Sequence, residues 1–120
     1  MFRYRLSDAA QVDVIDILAW THEQFGEAAR LRYENLIVAA LRDVATQPDR
    51  PGSIARLELG TGVRSWHLQL SRHHVGPGAA VRRPRHFLVY RIEPALLVVG
   101  RVLHDAMELA RHLDPDMPWQ

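Results

Sequence analysis

Phe2, Tyr4 and Leu6 alternate with Arg3 and Arg5, the period of a short strand with one face turned inward. Ser7 and Asp8 follow, and a side-chain oxygen at this point can accept from the free N–H groups of a first helical turn. The spacing predicts a helix over about residues 8–24, with Val14, Ile17, Leu18, Thr21 and Phe25 along one face. Gly26 interrupts it, since glycine alone turns the chain cheaply through positive φ. A second helix is predicted over about residues 27–47, striped by Ala29, Tyr33, Leu36, Ile37, Ala40, Leu41 and Val44. So short a link implies an antiparallel helical hairpin, which Pro48, Pro51 and Gly52 close.

The period then shortens. Ser65–Leu70, His86–Ile92 and Leu96–Leu103 are rich in β-branched and aromatic residues and bounded by Gly or Pro, as strands are. Residues 54–59 are a further extended candidate, and the short return Glu93-Pro94-Ala95 favours antiparallel neighbours. Between the first two of these strands lies Ser71–Pro84, SRHHVGPGAAVRRP, expected to form a long exposed hairpin loop. A short helix or turn is expected over 105–113. The predicted class is α+β: an N-terminal strand and an antiparallel helical hairpin packed on an antiparallel β-sheet, with a short C-terminal helix, in one domain over residues 1–120.

Composition narrows the chemistry more than the fold. Fifteen basic residues, all Arg, nearly balance 14 acidic ones, so a net charge of +1 makes no general polyanion binder. With no Cys there is neither a disulfide framework nor a thiolate site. The first ten residues lack the apolar run of a signal peptide, and no window approaches the ~20 apolar residues of a membrane span, so the cytoplasm is the expected location.

Familiar catalytic and cofactor patterns are missing: no GxSxG, GxGxxG or Walker sequence, and no HExxH. His73 and His74 are adjacent and point apart in an extended chain, so no metal or other cofactor is expected. Asp13, Asp16 and Glu23 are read as a solvated helix face. Arg64, Arg91 and Arg101, with His104, fall on three successive strands that can bring them to one surface. Such a surface can hold RNA phosphates with His104 as acid or base, bind acidic side chains of a partner protein, or consist of ordinary salt-bridge arginines.

The ordered set Tyr4-x-Leu6-Ser7-x-x-Ala10, Asp13-Val14-x-x-Ile17, Phe25-Gly26, Tyr33, Leu41, Pro48, Gly62-Val63-Arg64, Arg85-His86-x-x-x-Tyr90-Arg91, Arg101-Val102-Leu103-His104-x-x-Met107-Glu108 and His112-Leu113 resembles the ParE branch of the RelE/ParE toxin superfamily over nearly the whole chain. The resemblance implies a type II toxin neutralised by a cognate, ParD-like antitoxin in a hetero-oligomer. It also implies growth inhibition through DNA gyrase, an association with plasmid stabilisation, and no direct DNA binding by the toxin alone. The alternatives are a RelE-like ribosome-dependent mRNA endoribonuclease, and an inactive relative that only binds antitoxin. RelE-like ribonucleases carry basic residues on the central strands and a C-terminal Tyr. Here the corresponding positions resemble His67, Gln69 and Phe87, and the Tyr is missing, which favours a binding inhibitor over an enzyme. Arg64, Arg91, Arg101 and His104 are then the expected target-binding residues, or the catalytic ones if the chain is a ribonuclease. Val12, Ile15, Ala19 and Trp20 on the first helix, with Leu31 and Val38 on the second, lie off the core stripes, so they are the expected antitoxin-binding surface. Ser71–Pro84 departs from the family pattern, which runs almost directly between the flanking strands.

Overall fold

The computed structural model describes residues 2–106 and 119–120. The expected helix over 105–113 therefore lies almost wholly outside the described residues, as do Met107, Glu108, His112 and Leu113 of the family pattern. A strand, β1 (Arg3–Leu6), leads into two helices, α1 (Asp8–Phe25) and α2 (Glu27–Thr46). Four strands follow: β2 (Ile54–Ala55), β3 (Val63–His67), β4 (His86–Glu93) and β5 (Leu96–His104). They form one sheet in the order β1-β5-β4-β3-β2. β2 to β5 are antiparallel neighbours, whereas β1 adds to β5 in parallel, Arg3 opposite Leu96 and Leu6 opposite Val99. The parallel edge follows from the hairpin, which carries the chain across the sheet before the second half begins.

Local signals account for the boundaries. Ser7 Oγ accepts from the Ala10 N–H at 3.0 Å and donates to the Gly100 carbonyl at 2.7 Å, so the α1 cap is also a tie to β5. Gly26, at φ 90°, is the single joint between the helices. Ala95 takes φ 59° in the β4–β5 turn, where its preceding Pro94 sets the first corner. The third strand is shorter than its sequence suggests. It runs Val63–His67 and gives way to a 3₁₀ turn at Leu68–Ser71, because His67 Nδ1 accepts from the Gln69 N–H at 3.0 Å and pulls the chain out of the ladder. Likewise only Ile54–Ala55 of the 54–59 stretch is strand, and Leu57–Leu59 is a 3₁₀ turn.

α2 is the core helix. Its buried Tyr33, Leu36, Ile37, Ala40, Leu41 and Val44 meet Trp66, Leu88, Tyr90, Leu97, Val99 and Val102 from the sheet and Leu68 from the turn after β3. Each large side chain so buried contributes ~1.5–3 kcal/mol before ordering costs. α1 contributes much less: only Ala10 and Thr21 are buried, with Val14, Ile17 and Leu18 packed against the rim of the core. It lies along the open edge of β5 beyond the last β1 pair. A second cluster, Val63, Val89 and Leu103 with Leu59, Phe87 and Trp119, occupies the opposite face of the sheet.

A bulge decides which β5 residues face which way. Tyr90 pairs with Val99 but Val89 with Arg101, so Gly100 is the extra residue. Val99 and Val102 consequently both face the helices, and Arg101 is displaced to the side it would not occupy under strict alternation.

Candidate functional site

The four residues expected on one cationic surface are separated. Arg64 pairs with Tyr90 and His104 with His86, on the helix-packed face; Arg91 pairs with Val63 and Arg101 with Val89, on the other. Arg64 is held by Ser53, whose Oγ accepts at 2.8 and 3.1 Å. Arg91 makes an ion pair with Glu93 at 2.6 Å and lies 4.6 Å from the centre of the Trp119 ring. Arg101 is clamped to Asp13 on α1 at 2.7 and 3.0 Å, and the Asp13 carboxylate also accepts the Val102 N–H at 2.9 Å. Asp13 is thus no solvated carboxylate: it caps the strand edge that β1 leaves unpaired and holds the arginine displaced by the bulge. That hydrogen bond raises the Arg101 pKa.

The expected antitoxin-binding residues divide differently. Val12, Ile15, Trp20 and Leu31 are 46–65% exposed, and Ala19 is exposed beside them. Val38 is half-buried. Phe25, expected in the core stripe, is instead 67% exposed, belongs to neither core cluster and stands edge-on to Trp20 with ring centres 5.7 Å apart. A helix surface this apolar is incomplete without a cover.

Beside that surface lies a groove of about 920 Å³. Ile17, Trp20, Thr21 and Phe25 of α1 form one wall and Ala29, Arg32 and Tyr33 of α2 another. The third wall is residues 78–85 of the long loop, with Ala80, Val81, Arg82, Arg83 and Arg85, and His86 and His104 complete the lining. The loop is therefore more than an exposed hairpin tip. Val75 and Val81 pack against the main core. At its start Ser71 Oγ and His74 Nδ1 both meet the Asp43 carboxylate at 2.6 Å. At its end the Arg85 N–H donates to the Tyr33 hydroxyl at 3.2 Å.

The Tyr33 hydroxyl in turn shares a 2.5 Å hydrogen bond with His86 Nδ1. Burial raises the Tyr33 pKa to about 12 and lowers that of His86 to about 4, the nearby His104 adding to the second shift. Tyr33 therefore keeps its proton and donates it, so neutral His86 accepts at Nδ1 and carries its own proton on Nε2. His104 stands edge-on to His86, ring centres 5.2 Å apart. Asp105 binds Arg85 at 2.9 Å and His67 at 3.1 Å, and its pKa falls to about 2, chiefly through the Arg85 hydrogen bond. Among the described residues no group of three or more His, Asp or Glu side chains converges as a metal site. No helix among them is long and apolar enough to cross a membrane.

Sequence reasoning thus found the exposed hairpin residues and the basic shoulders of the loop, but missed Tyr33, His86 and Asp105 as one linked cluster. Only the pairing of β4 with β5 reveals it, by setting His86 opposite His104. No curated protein matches the chain. A family model for the ParE toxin of type II toxin–antitoxin systems, parDE, matches residues 4–109, spanning both helices, all but the first residue of β1 and the whole of the remaining sheet. The chain belongs to the ParE toxin family.

Proposed function

We propose that this chain is a growth-inhibiting toxin that acts by binding DNA gyrase and is neutralised when a cognate antitoxin covers the outer face of its helical hairpin. The observation that carries the antitoxin half is the exposed run Val12, Ile15, Ala19, Trp20 and Leu31 in a member of a toxin–antitoxin family. Burial of several such side chains against a partner is the ordinary source of affinity at a stable interface.

Inhibition by binding is favoured over RNA cleavage by the state of the arginines. Arg64, Arg91 and Arg101 are engaged by Ser53, Glu93 and Asp13, on two faces of the sheet. A ribonuclease needs phosphate-binding cations and an acid–base pair converging on one substrate atom.

Induced expression of the chain alone should stop growth and raise a DNA-damage response before bulk mRNA is lost. Co-expression of the product of the adjacent reading frame should restore growth. Prompt cleavage of ribosome-bound mRNA would support the ribonuclease alternative, and unimpaired growth with intact antitoxin binding would support an inactive relative. The surface has its own test. Trp20→Asp should weaken co-purification of the antitoxin by about tenfold or more while leaving the free chain's melting temperature nearly unchanged; unfolding of that variant on its own would show the residue to be core.

A further inference from the structure

The long loop turns one flank of the hairpin into a groove with two unlike walls. On the α1 side are Ile17, Trp20 and Phe25; on the loop side stand Arg82 and Arg83, with Arg32 of α2 between them. Arg32, Arg82 and Arg83 make no ion pair with any described residue, whereas the fourth arginine of the lining, Arg85, is held by Asp105. Against these cations the groove lining offers one carboxylate, Asp16. The cationic wall is fixed in place: Val81 packs on the core just before the two arginines, and the Arg85 N–H is tied to Tyr33 just after them.

We propose that this groove is a specificity pocket for an acidic amphipathic segment of the antitoxin, with apolar side chains seated on Ile17 and Trp20 and carboxylates meeting Arg82 and Arg83. The inference rests on the toxin–antitoxin reading and adds to it the chemistry of the segment and the role of the loop. Charge complementarity selects the occupant: arginine forks bind carboxylates bidentately, and a water-poor apolar wall beside them strengthens the pair. A volume of about 920 Å³ holds several side chains. RNA fits less well. Apart from Trp20 and Phe25 the lining offers no flat ring on which successive bases could stack outside the hydrogen-bonded Tyr33 and His86 and the His104 ring edge-on to His86, and Ile17, Ala29, Ala80 and Val81 supply aliphatic surface that suits side chains.

The test uses the purified chain and overlapping synthetic peptides tiled across the product of the adjacent reading frame, with poly-U RNA as the competing probe, all read by fluorescence anisotropy. The expected result is binding concentrated in peptides that alternate Asp or Glu with apolar residues. Arg82→Glu combined with Arg83→Glu should weaken it about tenfold, since reversal adds repulsion to the lost attraction. Arg3→Glu, opposite Leu96 at the other end of β5 from the His104 that lines the groove, should leave it unchanged. Binding confined to basic or uncharged peptides, indifference to the double reversal, or tighter binding of poly-U would each overturn the groove assignment. If any of these occurs while the intact partner still forms its complex and restores growth, the toxin–antitoxin reading stands without the groove. A partner that neither binds the chain nor restores growth would overturn both.

Discussion

His86 shows how much a single side chain can report. Its pKa of about 4 against an ordinary 6.5 means that the folded chain binds fewer protons than the unfolded chain between those values. Its contribution to stability is complete above pH 6.5 and is lost as pH falls towards 4, by roughly 3 kcal/mol. Asp105, at about 2 in the folded chain against 3.8 unfolded, loses its contribution only near and below pH 4 and so supplies little of the slope between pH 6.5 and 4. Thermal melts from pH 7 to 4 should therefore show a fall that His86→Gln flattens; an unchanged slope in that variant would place the titrating group elsewhere. Asp13 makes a second residue-scale case. Asp13→Ala should cost ~2–4 kcal/mol in urea denaturation, because it strands both the Arg101 charge and the Val102 N–H. Asp13→Asn, which keeps an acceptor for that N–H, should cost less. Ser7 was legible in the sequence because a cap acts on its immediate neighbours. Asp13 was not, since its partner is 88 residues away and reaches it through a bulge that no alternation pattern marks.

The helices and their joint follow from the sequence almost to the residue, because periodicity, the Ser7 cap and Gly26 all act locally. The loop does not. Its Gly and Pro content marked only a long exposed hairpin loop. With Val75 and Val81 on the core and Ser71 and His74 on Asp43, its role is structural as well. Replacing residues 73–83 by a two-residue Asn-Gly turn should destabilise the chain by roughly 1–3 kcal/mol, from lost burial rather than from loop entropy. A shortened chain as stable as the parent would show that these contacts contribute nothing. α1 differs from α2 for a related reason. Both carry apolar residues around much of their circumference, but only α2 lies under the sheet, so the sequence could mark an excess of apolar positions without saying which helix would show them to solvent.

At the scale of the whole molecule, the sheet fixes what surface is left for function. It buries α2 and sets the candidate arginines on two faces, each held by a neighbour, and it leaves the outer side of α1, with the adjoining groove, as an uncovered apolar surface. The α+β class and the family were legible because they depend on the order of elements along the chain. A shared cationic surface was not, since register and the Gly100 bulge decide which strand residues are neighbours. A molecule so arranged is suited to holding proteins, as the proposed inhibition of gyrase by binding requires. The most direct measurement adds the purified chain to gyrase and relaxed plasmid and follows supercoiling. The expected result is dose-dependent loss of supercoiling with accumulation of cleaved DNA, prevented by prior incubation with the antitoxin. Undiminished supercoiling at a large excess of the chain, together with cleavage of mRNA on translating ribosomes, would contradict it.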